Sequence, residues 1–186
     1  MNTLRIKAFV AWLTWVALVL GFPFTAAAVN LTLDLQVNAS ENDAEENVVG
    51  GGSLTSTDLD LGGSHGKVGL RFTNVNIPRN AAITRAYIEF TTAAQDSSTT
   101  RVTFEIQASD NATAFAATPF NLHARPTYSQ SVDWTIDYPW ATVDQAHQSA
   151  ELKDLVQKVV GRSGWAANTA IVFIVSGHEG VFRRAK

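Results

Sequence analysis

Three carboxylates crowd the segment Asp43-Ala44-Glu45-Glu46, inside an acidic, glycine-ended stretch that runs from Asn38 to Gly52. Oxygen donors at that spacing, with backbone carbonyls beside them, suit a hard cation such as calcium, which takes about six to eight oxygen ligands. Asp58, Asp60 and Asp110 fall in further stretches that read as loops and could join the set. The spacing does not follow the calcium loop of an EF-hand, which needs a glycine and a closing glutamate at fixed offsets. The candidate metal ligands are therefore Asp43, Glu45, Glu46, Asp58, Asp60 and Asp110, and the competing reading is a solvated acidic loop.

A second group is aromatic. Tyr128, Trp134, Tyr138 and Trp140 cluster in a stretch without clear periodicity, with Pro139 between the last two. Exposed rings of this kind serve as stacking platforms for sugars, because a ring is apolar, rigid and flat. A platform requires Tyr138 and Trp140 to be exposed and coplanar. The competing reading places all of them in the core, since tryptophan is buried on average. Trp165, which follows a helical pattern, is assigned to packing.

Nothing in the chain assembles a catalytic group. Gly62-x-Ser64-x-Gly66 matches the nucleophile-elbow pattern by letter, but that motif needs a strand before it and a helix after it. Here an alternating segment, Val68–Phe72, follows. Ser64 beside His65 has no identifiable acid to orient the base. His65, His123, His147 and His178 show no metal-ligand spacing, and His178-Glu179 lacks the second histidine of a zinc-protease helix. There is no cysteine, which excludes disulfides and thiolate metal sites.

The elements that must position these groups are mostly strands. Residues 31–37 alternate strictly, as do Lys67–Asn74, Ala86–Phe90 and Val102–Ala108. A shorter, polar strand is expected at Ser53–Leu61 and another at Val132–Ile136. Leu152, Leu155, Val156, Val159 and Val160 follow the spacing of an amphipathic helix, with Ser149 placed to cap its start and Gly161 its end. The continuous apolar run Ala170–Val175 is short and β-branched, which predicts a buried central strand. Six or seven strands with turns between them and one helix argue an all-β antiparallel sandwich, a jelly roll, with the helix before the last strand.

The first 28 residues read differently. Arg5 and Lys7 precede a largely apolar run of 13 residues, Ala8 to Leu20, then Gly21, Pro23 and the small residues Thr25-Ala26-Ala27-Ala28. This is the pattern of a signal peptide cleaved after Ala28, and the run is short for a membrane span, which needs about 20 apolar residues. The expectation is a signal peptide at 1–28 and one domain at 29–186, secreted, periplasmic or on the cell surface, meeting a membrane only through the leader. Its removal takes the formal net charge from −3 to −5. So acidic a domain repels the phosphates of nucleic acid.

Asn42-Asp43-Ala44-Glu45-Glu46, Leu54–Leu61, Val68–Pro78, Ala81–Phe90, Ala108–Phe115, Ser131–Trp134 and Leu155–Gly177 together resemble the jelly-roll modules of large secreted bacterial proteins. They are similar to the DNRLRE-type domains, which include carbohydrate-binding module family 96, and the resemblance spans most of residues 33–177. It implies a non-catalytic accessory module, calcium-stabilised, that binds a carbohydrate or other surface polymer or a cell-surface protein. The chain departs from the pattern in having no partner domain. It also lacks length after Gly177 for a closing strand, which predicts an incomplete sandwich with an unpaired strand edge. Two other readings stand beside it: a structural or adhesive cell-envelope domain with no small ligand, and a small hydrolase.

Overall fold

Hydrophobicity with a period of two dictates sheet, and sheet dominates the chain. The computed structural model describes residues 2–11, 28–37, 39–63, 66–178 and 181–186. In chain order it holds β1 (Thr3–Ala11), β2 (Ala28–Gln36), β3 (Asp43–Asn47), β4 (Gly52–Ser53), β5 (Leu59–Gly62), β6 (Gly66–Val75), β7 (Ala82–Thr91), β8 (Thr100–Ile106), β9 (Val132–Ile136), β10 (Ala146–Gln148), α1 (Lys153–Val160), β11 (Thr169–Gly177) and β12 (Phe182–Ala185). A single 3-10 turn, Ser40–Asn42, precedes β3. One sheet runs β10-β7-β1-β2, a second runs β4-β3-β6-β11-β8-β9, and β12 pairs with β5 as a separate ribbon. All these pairings are antiparallel. The result is the expected antiparallel β-sandwich, but the strand expected to be missing after Gly177 is present as β12, so two strands follow α1, and β11 is paired on both sides rather than left as an edge.

The alternating segments fill the space between the sheets. Val68, Leu70 and Phe72 of β6, Ile88 and Phe90 of β7, and Val102, Phe104 and Ile106 of β8 share one buried cluster with Leu155, Val156 and Val159 of α1. α1 buries its expected apolar stripe. Its caps differ from the expectation at one end. Ser149 Oγ accepts from the Ile88 N–H of β7, and the Glu151 carboxylate takes the Lys153 N–H and the Ala86 N–H instead. Gly161 does close the helix, its N–H donating to the Gln157 carbonyl.

β11 is the predicted central strand, buried on both faces. Ile171, Phe173 and Val175 face the main core, while Val172 and Ile174 face a second cluster with Ala44, Ala112, Phe115 and Leu122. The segment between β8 and β9 makes that second layer by lying across the outer face of the six-stranded sheet. Gly69 lets it approach: a Cβ there would sit 2.6 Å from the Phe115 ring and 2.7 Å from Leu122.

Two segments differ from the sequence reading. The acidic stretch after Asn38 is no loop: residues 43–47 pair as β3 with β6 over Asp43↔Leu70 to Asn47↔Gly66. The strand expected at Ser53–Leu61 is two short ones, β4 and β5, with irregular chain between them. Residues 3–11 of the expected leader form β1, which lies between β2 and β7 with Ile6 and Ala8 in the core. The rest of the leader's apolar run, from 12 to 20, and the residues on to Ala27 lie outside the described residues, as do Asn38, Ser64, His65, Glu179 and Gly180.

Candidate functional site

The pleat of β3 sorts the acidic cluster. Asp43 stands opposite Leu70 and Glu45 opposite Val68, so both side chains share the inward face of the sheet near its edge. Ala44 and Glu46 point the other way. Glu45 reaches β5, where its Oε1 accepts the Asp60 N–H at 2.6 Å. Burial is the main cause that raises the Asp43 carboxyl above its usual range, with repulsion from Glu45 adding to it. Burial also raises Glu45 most strongly, and Asp60 and Asp58 repel it, while the Asp60 N–H and the Ser56 hydroxyl work the other way. Glu45 thus stands among three of the other expected ligands, Asp43, Asp58 and Asp60, along the β3–β5 edge. The cations nearby are committed elsewhere or shared. Lys67 lies 3.8 Å from Glu105, and Arg184 lies 3.5 Å from Asp60 in an exposed pair. An open cleft beside the acids is lined by Glu45, Asn47, Asp60, Gly63, Lys67 and Phe182. Among the described residues, no three acidic or imidazole side chains converge on a single point.

Glu46 and Asp110 leave the expected set. Glu46 is buried on the outer face of the sheet, and its Oε2 accepts the Leu122 N–H at 3.0 Å and the His123 N–H at 2.9 Å, with His123 Nδ1 at 2.6 Å. Strand alternation puts it out of reach of any ion that Asp43 and Glu45 share. It acts as a staple that ties the β8–β9 segment to the sheet. Glu46→Ala strips a charged acceptor from two backbone donors, so a stability loss of about 2 kcal/mol is expected. Native-state hydrogen exchange at the Leu122 and His123 amides, faster in the variant, checks it. Asp110 instead takes the Arg162 guanidinium, which also donates to the Tyr128 hydroxyl at 2.9 Å.

The aromatic group is dispersed as well. Trp134 is buried and stacks on Phe90 with ring centres 5.7 Å apart. Trp140 is fully buried and lies parallel to the His147 ring at 4.6 Å. The chain beyond Pro139 is pinned at Asp96 by two backbone hydrogen bonds, which turn the Trp140 indole into the core. Tyr138 remains exposed and Tyr128 is half-buried. The coplanar Tyr138–Trp140 platform is therefore corrected: one ring of the pair faces water and the other does not. Trp165 packs in the core as expected, its indole N–H donating to the Ile77 carbonyl.

One aromatic was missed. Phe120 is 47% exposed, beside Val48 and Val49 on the β3–β4 turn at 56% and 76%. Its backbone adopts φ 61°, a left-handed conformation uncommon for a bulky residue. Gly50 makes room for the ring: a Cβ there would lie 2.9 Å from Phe120 Cε2. Thr118-Pro119-Phe120-Asn121 announces a turn, but not which residue of it turns outward.

A hydroxyl, an imidazole and an acid also meet. Thr103 Oγ1 donates to Asp133 Oδ1 at 2.6 Å and lies 2.6 Å from His178 Nε2. In a nucleophilic triad the acid holds the far nitrogen of the imidazole. Here the acid holds the hydroxyl itself, and the three groups form a hydrogen-bonded surface cluster. The Ser64-His65 pair of the hydrolase reading lies outside the described residues. No family model matches the chain, and neither a curated protein nor a solved structure matches it.

Proposed function

We propose that the chain is an exported, non-catalytic β-sandwich module, stabilised by calcium at the β3–β5 edge, that binds a carbohydrate or other surface polymer. What supports the metal is the half-buried Asp43–Glu45 pair on one face of β3, with Glu45 accepting the Asp60 N–H of β5. A divalent cation there would offset charge that the fold gathers against its own desolvation cost. The sequence resemblance supports the polymer, and the exposed Phe120 and Tyr138 offer apolar ring faces for it. Among the described residues no helix is long and apolar enough to cross a membrane. A cell-envelope domain that packs against its neighbours and holds no small ligand is the second reading, favoured by the burial of Trp134 and Trp140.

The test is thermal unfolding with calcium and with a chelator, across pH. A ligand bound by the folded state alone stabilises it by about 2.7 kcal/mol at a hundredfold excess over its dissociation constant. Folded-state values raised above the unfolded ones mean that the folded protein holds more protons. These two acids therefore favour folding most below the usual carboxylate range, and lose that contribution as pH rises through their raised values. Calcium should raise the midpoint strongly near neutral pH and little at acid pH, where protons hold the site. Asp43→Asn with Glu45→Gln should raise stability without metal and abolish the calcium response. A midpoint indifferent to calcium at neutral pH removes the metal, and absence of retention on insoluble polysaccharides favours the envelope reading.

A further inference from the structure

We propose that the channel between β2 and β7 is a strand-acceptor site, which in the exported protein takes an extended segment of a partner polypeptide. The inference rests on export with removal of residues 1–28. That cut takes β1 out of the sheet it occupies here. Among the described residues β1 is the only strand that β2 pairs with, over Thr3↔Gln36 to Ala11↔Ala28. β7 has one other neighbour, β10, which covers residues 89–91 alone. The cut therefore bares two ladders of backbone N–H and C=O groups that face each other, the kind of edge that recruits another chain.

The gap does not close by itself. β2 and β7 are each antiparallel to β1, so they run in the same direction about two strand spacings, roughly 9.6 Å, apart. Closure would slide β2 by about 4.8 Å, against Leu31, Leu33 and Leu35, which pack on the core.

The channel specifies its occupant. On the inward side, Ile6 sits between Leu33 and Ala86, and Ala8 between Leu31 and Ile83. On the outward side, Arg5 lies 3.6 Å from Asp34 and 3.5 Å from Glu89, opposite Tyr87. Arg85 of β7 is stacked over the Tyr87 ring and bonded to Gln148. Without β1, two acids flank an open groove on an acidic domain. The occupant is a strand antiparallel to both walls, apolar on its inward alternate positions, with a cation at the Arg5 register. A second copy does not supply it: export removes that copy's β1 too, and β2, which this leaves without a pairing partner among the described strands, carries Asp34 and no cation.

The experiment uses the protein recovered from a secreting host, its N-terminus sequenced, titrated with a labelled peptide of residues 2–11 and followed by fluorescence polarisation. Saturable one-to-one binding is expected, with a higher melting midpoint, and about tenfold weaker binding for the peptide carrying Arg5→Glu. If the cleaved protein is unfolded alone, the peptide should restore a cooperative transition. A folded monomer that ignores the peptide overturns the proposal, as does an unfolded one that the peptide does not rescue. A dimer that excludes the peptide overturns it in favour of a second copy. If sequencing finds residues 1–28 retained, the export reading fails. A protease site placed within residues 12–27 and cut then tests the channel alone: the freed β1 fragment should stay bound and exchange for labelled peptide, and its loss from a still-folded protein overturns the proposal. Calcium response and polysaccharide retention report on the earlier reading independently.

Discussion

Trp140→Ala should lower the unfolding free energy by about 4 kcal/mol, the range for deleting a large buried aromatic. The indole is fully buried in a ring system with Trp134 at 6.5 Å and His147 at 4.6 Å. Removing it leaves a cavity that Phe90, Phe104 and Trp134 cannot fill, because the backbone at Trp140 is tied to Asp96 on both its N–H and its carbonyl. Urea denaturation measures the loss. The same variant should keep whatever polysaccharide retention the folded protein shows, whereas Phe120→Ala should reduce it with little change in stability. A Trp140→Ala protein of native stability that loses retention would return this residue to the binding surface.

Arg183→Ala should cost about 3 kcal/mol, the lower end of the range for breaking a buried charge pair, because its partner is part-exposed. The guanidinium is fully buried near the C-terminal end, with Nη1 donating to Asp96 at 2.9 Å and Nη2 to the Tyr138 carbonyl at 3.1 Å. Asp96 is held below the usual carboxylate range, first by the Ser98 N–H and in smaller part by Arg183. Arg183 also adds to the burial that lowers the His147 imidazole. One side chain thus locks β12 to the loop before β8 and to the turn before Trp140. Differential scanning calorimetry should show a lower midpoint, with Arg183→Met less affected because it refills the volume. A midpoint unchanged by both would mean that β12 adds nothing to the fold.

Strands whose neighbours agree with their own pattern were legible in the sequence. Val68, Leu70 and Phe72, or Val102, Phe104 and Ile106, alternate because one face of each strand meets the core. Ala170–Val175 reads as continuous because a second layer covers its other face. β3 was not legible. Its residues carry charge on both faces, and its partners come from far along the chain: β6, Asp60, and Leu122 with His123 some 76 residues away. Residues 3–11 suit a leader and a strand alike, since the Arg5 charge fits the positive start of the one and the outward face of the other. Of the metal candidates, spacing alone grouped Glu46 with Asp43 and Glu45, and only the pleat separates them. For the aromatics, chemistry named the residues but tertiary packing chose which rings see water.

The segment between β8 and β9 spans 107–131 and has no regular structure of its own, yet it is held like a strand. Arg71 Nε donates to the Ala112 carbonyl, Arg125 donates to the Thr113 and Ala114 carbonyls, the Phe115 N–H bonds Glu41, and Glu46 takes the Leu122 and His123 amides. A protease must draw a stretch of chain into extended form before it can cut, and here the stretches are anchored to β6, to the 3-10 turn, to β3 and, through Arg125, to the segment itself. Irregular backbone and loose backbone are therefore different things in this molecule. The natural point of entry for a protease is the β3–β4 turn at Val48–Val49, which is short, exposed and apolar at its tip.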